Sequence, residues 1–138
     1  MVYFVDTNVF LRFLLGDDIP QHQLAHRLFQ KAEAGKLNLW TTDIVILEIV
    51  WTLKSFYKYP NVGIKKTVSG ILALKNLQVT NSHFLLQALE DFTSKNIDFT
   101  DAYNFQLAIK EGKKILSFDD DFRKLGPVAN IAAVVKSS

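Results

Sequence analysis

Five short apolar runs alternate along this chain with segments of helical period, and that alternation restricts the fold more than any other feature. The runs are Val2–Val5, Leu37–Trp40, Leu77–Val79, Lys114–Phe118 and Ile131–Val135. Thr7 to Leu15 carries Val9, Phe10, Phe13 and Leu14 on one side and stops at Gly16. Pro20 fits the first turn of a second helix, which runs to Ala34, has Leu24, Leu28 and Ala32 as its stripe, and closes at Gly35. Thr42 or Asp43 caps a third, reaching Lys58 before Pro60 ends it. Further helices are predicted over Val62–Lys75, over Ser82–Ser94, and from a Thr100 cap to Glu111. Strands separated by helices in this way predict an α/β fold, a parallel sheet with helices on both faces. Val2–Val5, apolar throughout, is expected to be buried on both sides.

A chain of 138 residues suits a single domain, taken here as 1–138. There are no cysteines, which removes disulfide frameworks, thiolate catalysis and cysteine-bound zinc. No apolar run approaches a membrane span, and Met1–Val5 is too short for a signal peptide before Asp6 interrupts it. A soluble, cytoplasmic protein is the expectation. Sixteen Lys and Arg against fourteen Asp and Glu give a formal charge of +2, too mild by itself to imply nucleic acid. Setting aside Asp6, Glu48, Asp101, Asp119 and Asp121 leaves 16 basic against 9 acidic residues, or +7. A basic body around an acidic pocket suits a polyanionic substrate and a bound cation.

Those five acids each have a plain structural explanation. Glu48 sits in Ile44-Val45-Ile46-Leu47-Glu48-Ile49-Val50-Trp51, apolar all round and hence expected to be buried. Buried glutamate needs a partner, and an ion pair with Arg12 or a lysine would supply one. Asp6 suits the N-cap of the helix beginning at Thr7. Asp101 lies in a first helical turn, where any acid gains from the macrodipole. Asp98 suits a turn or a supporting position. Asp119-Asp120-Asp121 is a charge run of the kind usually solvated. Against these readings stands their joint placement. In parallel sheets, ligands bind beyond the carboxyl ends of the strands. Asp6 and Asp119 each follow an apolar run directly, so central parallel strands would bring both to one edge. Crowded carboxylates repel and are commonly tolerated by binding a cation. Oxygen donors without cysteine suit Mg²⁺ or Mn²⁺, ions that activate water and stabilise the leaving oxygen of a phosphodiester.

The same residues carry a family resemblance. Val5-Asp6-Thr7-Asn8-Val9-Phe10-Leu11-Arg12 resembles the opening motif of PIN-domain ribonucleases, and Thr42 to Trp51 resembles their helix bearing the second acid. Asp98-Phe99-Thr100-Asp101-Ala102 is similar to the third motif, and Leu116 to Phe122 to the fourth. The order and contexts match over essentially the whole chain, closest to the toxin member of VapBC toxin–antitoxin pairs. The resemblance implies a three-layer α/β/α fold with a central, mainly parallel sheet. It also implies a Mg²⁺- or Mn²⁺-dependent endoribonuclease with Asp6, Glu48, Asp101 and Asp119 as its acidic quartet. Asp121 matches a further acid of the metal site. Asn8, Arg12, Ser117 and Arg123 are the candidate substrate contacts, Ser117 standing where the family often has threonine. Leu47 stands where a small residue is common. The implied partners are RNA, an antitoxin whose C-terminal segment occupies the groove, and a second copy in a homodimer.

Other classes fit less well. Receiver domains usually pair two acids after the first strand, where Asp6 stands alone, and aspartate-nucleophile phosphatases want an aspartate at Asn8. A non-catalytic interaction domain would not need all four acids. His22 and His26 share a helix face but lack the adjacent glutamate of a zinc-protease motif, so a solvated or partly packed pair is expected. The aromatic set, Trp40 and Trp51 included, falls at apolar spacing and is assigned to the core rather than to base stacking. Arg12, Lys54, Lys58 and Arg123 are basic residues that would flank the acidic edge.

Overall fold

The first apolar run pairs in parallel with the second, and the second with the third. In the computed structural model, which describes residues 1–137, β1 (Val2–Phe4), β2 (Asn38–Thr41) and β3 (Leu77–Val79) form a sheet of order β1-β2-β3. Tyr3 stands opposite Leu39, and Trp40 opposite Gln78. The described residues fall into two compact units, 1–82 and 83–137.

In the first unit the sheet is joined by α1 (Thr7–Leu15), α2 (Ile19–Glu33), α3 (Asp43–Ser55) and α4 (Asn61–Leu72). Punctuation follows local chemistry. Gly16 ends α1 in the left-handed conformation at φ +63°, where a side chain would be strained. Asp18 caps α2 by accepting from Gln21 N, and Thr42 caps α3 by accepting from Val45 N. The helix α3 ends three residues before the expected Lys58, which itself turns to φ +59°. The core joins Leu39 of β2 to Phe10, Phe29, Ile46, Ile49, Leu53, Ile64 and Val68, with Phe10 stacked on Phe29 at 5.4 Å. Buried Thr41 ties β2 to β1 by donating to the Val5 carbonyl at 2.7 Å.

Two expectations for this unit are corrected. β1 is an edge strand, and Val2, Tyr3 and Phe4 are each more than half exposed; only Val5 is buried. Lying at the sheet's margin, it lacks the cover that a central strand receives. The second correction is α3, whose sequence is apolar on every side. Val45, Ile46, Ile49, Val50 and Leu53 are buried, while Ile44, Glu48 and Trp51 face solvent. Periodicity could not choose the buried face, because every face qualified.

The second unit contains α5 (Ser82–Ser94), α6 (Phe99–Lys110), a 3-10 helix (Asp120–Lys124) and α7 (Ile131–Ser137). Its core is Leu85, Ala88, Leu89, Phe92, Phe99, Ala102, Tyr103 and Phe105. The cap of α6 is Asp98, which accepts from Asp101 N, and not Thr100. Just beyond the 3-10 helix, which packs on α6, a Cβ on Gly126 would stand 2.8 Å from Phe105 Cζ, so a larger residue there would force the ring to shift. The two later strand assignments do not hold. Lys114–Phe118 contributes a single parallel bridge, Ile115 to Val128, and Ile131–Val135 lies in α7. Short apolar runs carry no period able to separate strand from helix, and Ala132 and Ala133 favour the helix. The α/β class stands, with a three-stranded parallel sheet. Among the described residues no helix is long and apolar enough to cross a membrane.

Candidate functional site

Asp6 leaves the C-terminal end of β1 and turns the chain into α1, its Oδ1 accepting from Thr7 N at 2.8 Å. The capping role foreseen for it is therefore real, and it leaves the second carboxylate oxygen available. β2 runs parallel to β1, so its own C-terminal end, Thr41, and the N-terminus of α3 lie at the same edge. Glu48 projects from α3 and accepts a 2.6 Å hydrogen bond from Thr7 Oγ1. A short bond from a hydroxyl to a carboxylate is charge-assisted and fixes the acceptor's position. Thr7 is 8% exposed and directly follows Asp6, so one dipeptide places both candidate site acids of this unit, Asp6 and Glu48.

The ion pair proposed for Glu48 is not formed with Arg12, whose guanidinium instead meets Asp17 at 2.9 Å. Asn8 and Arg12 line a groove of about 600 Å³ between α1 and α2, together with Val9, Leu24 and Leu28. His22 Nδ1 lies 2.8 Å from the Arg12 carbonyl, and His26 stacks on Phe13 at 5.9 Å, which is the partly packed pair expected.

The second unit gathers the other acids. Asp98 caps α6 through Asp101 N, which sets Asp101 in the first turn. Ser117 Oγ accepts from Asp119 N, and Asp119 Oδ1 accepts from Asp121 N, so the charge run begins in two nested turns. Asp121 pairs with Lys124 at 3.1 Å and Arg123 with Asp120 at 3.4 Å, both exposed pairs of small energetic weight. Asp101 has its pKa raised above the ordinary carboxylate value. Partial burial is the larger cause, followed by the negative charges of Asp98, Asp119 and Asp121. Motifs about twenty residues apart in sequence are thus electrostatically coupled in space.

Two acids received too little weight in the sequence. Asp98 is both a cap and a contributor of charge at Asp101. Asp91 is 6% exposed in α5 and accepts from Gln106 Nε2 of α6 at 3.1 Å, with Lys95 Nζ 3.6 Å away. Its signal was present: it lies on the same helical face as Ala88 and Phe92.

Among the described residues, no three His, Asp or Glu side chains are close enough to form a complete metal cage. The donor chemistry still fits a hard divalent cation. Mg²⁺ is commonly held by one or two carboxylates and several waters, and the acids around Asp101 repel one another in a way that a cation would relieve.

The Thr7–Glu48 bond has a direct test. Thr7→Val preserves shape and removes the donor, and is expected to cost about 1 kcal/mol, water replacing part of the bond at exposed Glu48. Denaturant melts of the two proteins measure it, and equal midpoints with equal slopes would mean that the bond contributes nothing.

Comparison with known proteins gives three matches. A family model described as PIN domain matches residues 3–127. A curated relative, the VapC ribonuclease of Aquifex aeolicus (strain VF5), is 28% identical over 123 residues, 88% of this chain and 90% of that protein. A solved structure, Mycobacterium tuberculosis VapC20, titled a sarcin-ricin loop cleaving toxin, aligns at 21% identity. That alignment covers 93% of this chain and 97% of that one, with a TM-score of 0.37.

Proposed function

The chain belongs to the PIN-domain family, and from that premise we propose that it is a metal-dependent endoribonuclease, the toxin of a toxin–antitoxin pair. The observation that carries the reading is the crowding of Asp98, Asp119 and Asp121 on Asp101, charge of one sign brought together from two separate motifs. In this proposal Asp6, Glu48, Asp101 and Asp119 hold the cation, with Asp121 auxiliary, and the single domain 1–138 spans both compact units. The match of one family model across residues 3–127 supports that extent. Position 138 itself lies outside the described residues.

A divalent cation, Mg²⁺ or Mn²⁺, supplies Lewis acidity at the phosphodiester and raises the acidity of water. The chain's own residues do the rest. Thr7 holds Glu48 by its hydroxyl, leaving Glu48 Oε1 as an acceptor for a proton or a water. Asp6 and Asp119 spend one oxygen each on backbone caps, which fixes their orientation before anything binds. Asn8, Arg12 and Arg123 contact the substrate, the two arginines by exchanging their present carboxylate partners for phosphates; Ser117 orients the turn before Asp119. The partners we propose are RNA, a cognate antitoxin and a second copy of the chain. An antitoxin arginine or lysine entering among the acids would block the cation.

The test is cleavage of a defined RNA by the purified protein, with EDTA and with millimolar Mg²⁺ or Mn²⁺. Metal-restored cleavage leaving 5′-phosphate and 3′-hydroxyl ends is expected. Cleavage unaffected by EDTA would overturn the metal assignment.

A further inference from the structure

Trp51 is 67% exposed, although the apolar sequence around it assigned it to the core. It lies on α3 three residues after Glu48, and Ile44 lies four before; these spacings put all three on one helical face. Ile44 is likewise 63% exposed. An indole left in water beside a carboxylate is a costly arrangement for packing alone, since the buried face of α3 is complete without it. Resting on the ribonuclease reading above, we propose that Trp51 is a base-stacking platform that holds an unpaired nucleobase of the substrate RNA next to Glu48.

Two observations select a nucleobase as the occupant. Glu48 sits in the middle of the apolar face, so a protein partner lying flat on Ile44 and Trp51 would bury a carboxylate held by the Thr7 hydroxyl and, among the described residues, by no cation. A base stacked on one indole leaves Glu48 open and its adjoining phosphodiester close by. Lys54, three residues beyond Trp51, is exposed and donates to Asn61 Oδ1, and the exposed Lys58 follows it. Their charge complements phosphates flanking the stacked base. Stacking requires an exposed base face, which a paired base within a duplex does not offer. Trp51 therefore selects single-stranded or looped RNA without reading its sequence.

Tryptophan emission tests this directly. Trp40→Phe leaves Trp51 as the sole indole, and titrations are run in EDTA so that cleavage does not intervene. A short single-stranded oligoribonucleotide is expected to quench Trp51, whereas the same strand annealed to its complement, or an abasic version of it, is not. Trp51→Ala should weaken single-strand binding about tenfold. Trp51→Phe should recover most of that loss, while Trp51→Leu, apolar but without a π face, should not.

Equal quenching by the abasic strand, equal affinity of Trp51→Ala, or full rescue by Leu would overturn the proposal. So would a fall in sedimentation mass in Trp51→Ala, which would assign the face to a second copy. Quenching without metal-dependent cleavage would keep the platform and remove the nuclease reading. Cleavage without quenching would remove the platform alone.

Discussion

Asp6→Asn and Glu48→Gln are each expected to lower metal-dependent RNA cleavage by about 10³-fold, a loss of ~4 kcal/mol of transition-state stabilisation. Both exchanges preserve shape and remove one negative charge. For Asp6 the distinction from a folding defect is built into the residue. Its Oδ1 caps α1 through Thr7 N, and asparagine caps as well as aspartate. The variant should therefore melt like the parent while losing activity. Glu48→Gln keeps a carbonyl oxygen for Thr7 Oγ1, so the tie between α1 and α3 persists in weaker, neutral form. Single-turnover cleavage at saturating Mn²⁺, with circular dichroism melts of each protein, separates the two effects. Undiminished cleavage by Asp6→Asn would remove it from the proposed ligand set.

Millimolar Mn²⁺ should raise the melting temperature by roughly 9 °C, because a ligand bound only by the folded state at a hundredfold excess over its Kd contributes about 2.7 kcal/mol. The apo protein should show the complementary cost. Asp101 has a folded pKa above its unfolded value, so the folded state holds the proton more tightly. The stability this contributes is fully present below the unfolded pKa and is lost as pH rises through the raised folded value. In EDTA this contribution should thus decline across the acidic carboxylate range and be absent at neutral pH. Asp119→Asn removes one of the charges acting on Asp101 and keeps the cap on Asp121 N. It should be at least as stable as the parent in EDTA and should respond less to Mn²⁺. Equal Mn²⁺ shifts in the two proteins would exclude Asp119 as a ligand. Marked destabilisation of the variant in EDTA would favour a structural role for the carboxylate.

Where one local interaction decided the outcome, the sequence was sufficient except at α6, whose cap is Asp98 and not Thr100. Gly16 and Gly35 close helices because a left-handed residue is needed there, and Thr42 and Asp6 cap because their oxygens reach an amide within three residues. The runs at Leu77–Val79 and Ser82–Ser94 coincide with β3 and α5, the second because its apolar spacing is helical over thirteen residues. The four acidic motifs were legible through their order and context, which resemble one family, and the match over residues 3–127 bears out the family.

Tertiary structure decided what depends on neighbours distant in the chain. Which face of α3 is buried was open, because all its faces are apolar and only contact with the sheet and adjacent helices distinguishes them. Glu48 and Trp51 were accordingly assigned to the core and stand in solvent. That β1 lies at an edge depends on strand order, which no residue in Val2–Phe4 encodes. Ile131–Val135 lies in a helix rather than the sheet, an outcome that a short apolar run by itself does not determine. The hydroxyl of Thr7 on Glu48 spans 41 residues, and the raised pKa of Asp101 needs Asp119 and Asp121 to fold back beside it. Local chemistry chose the residue types; only the folded backbone set the distances over which their charges act.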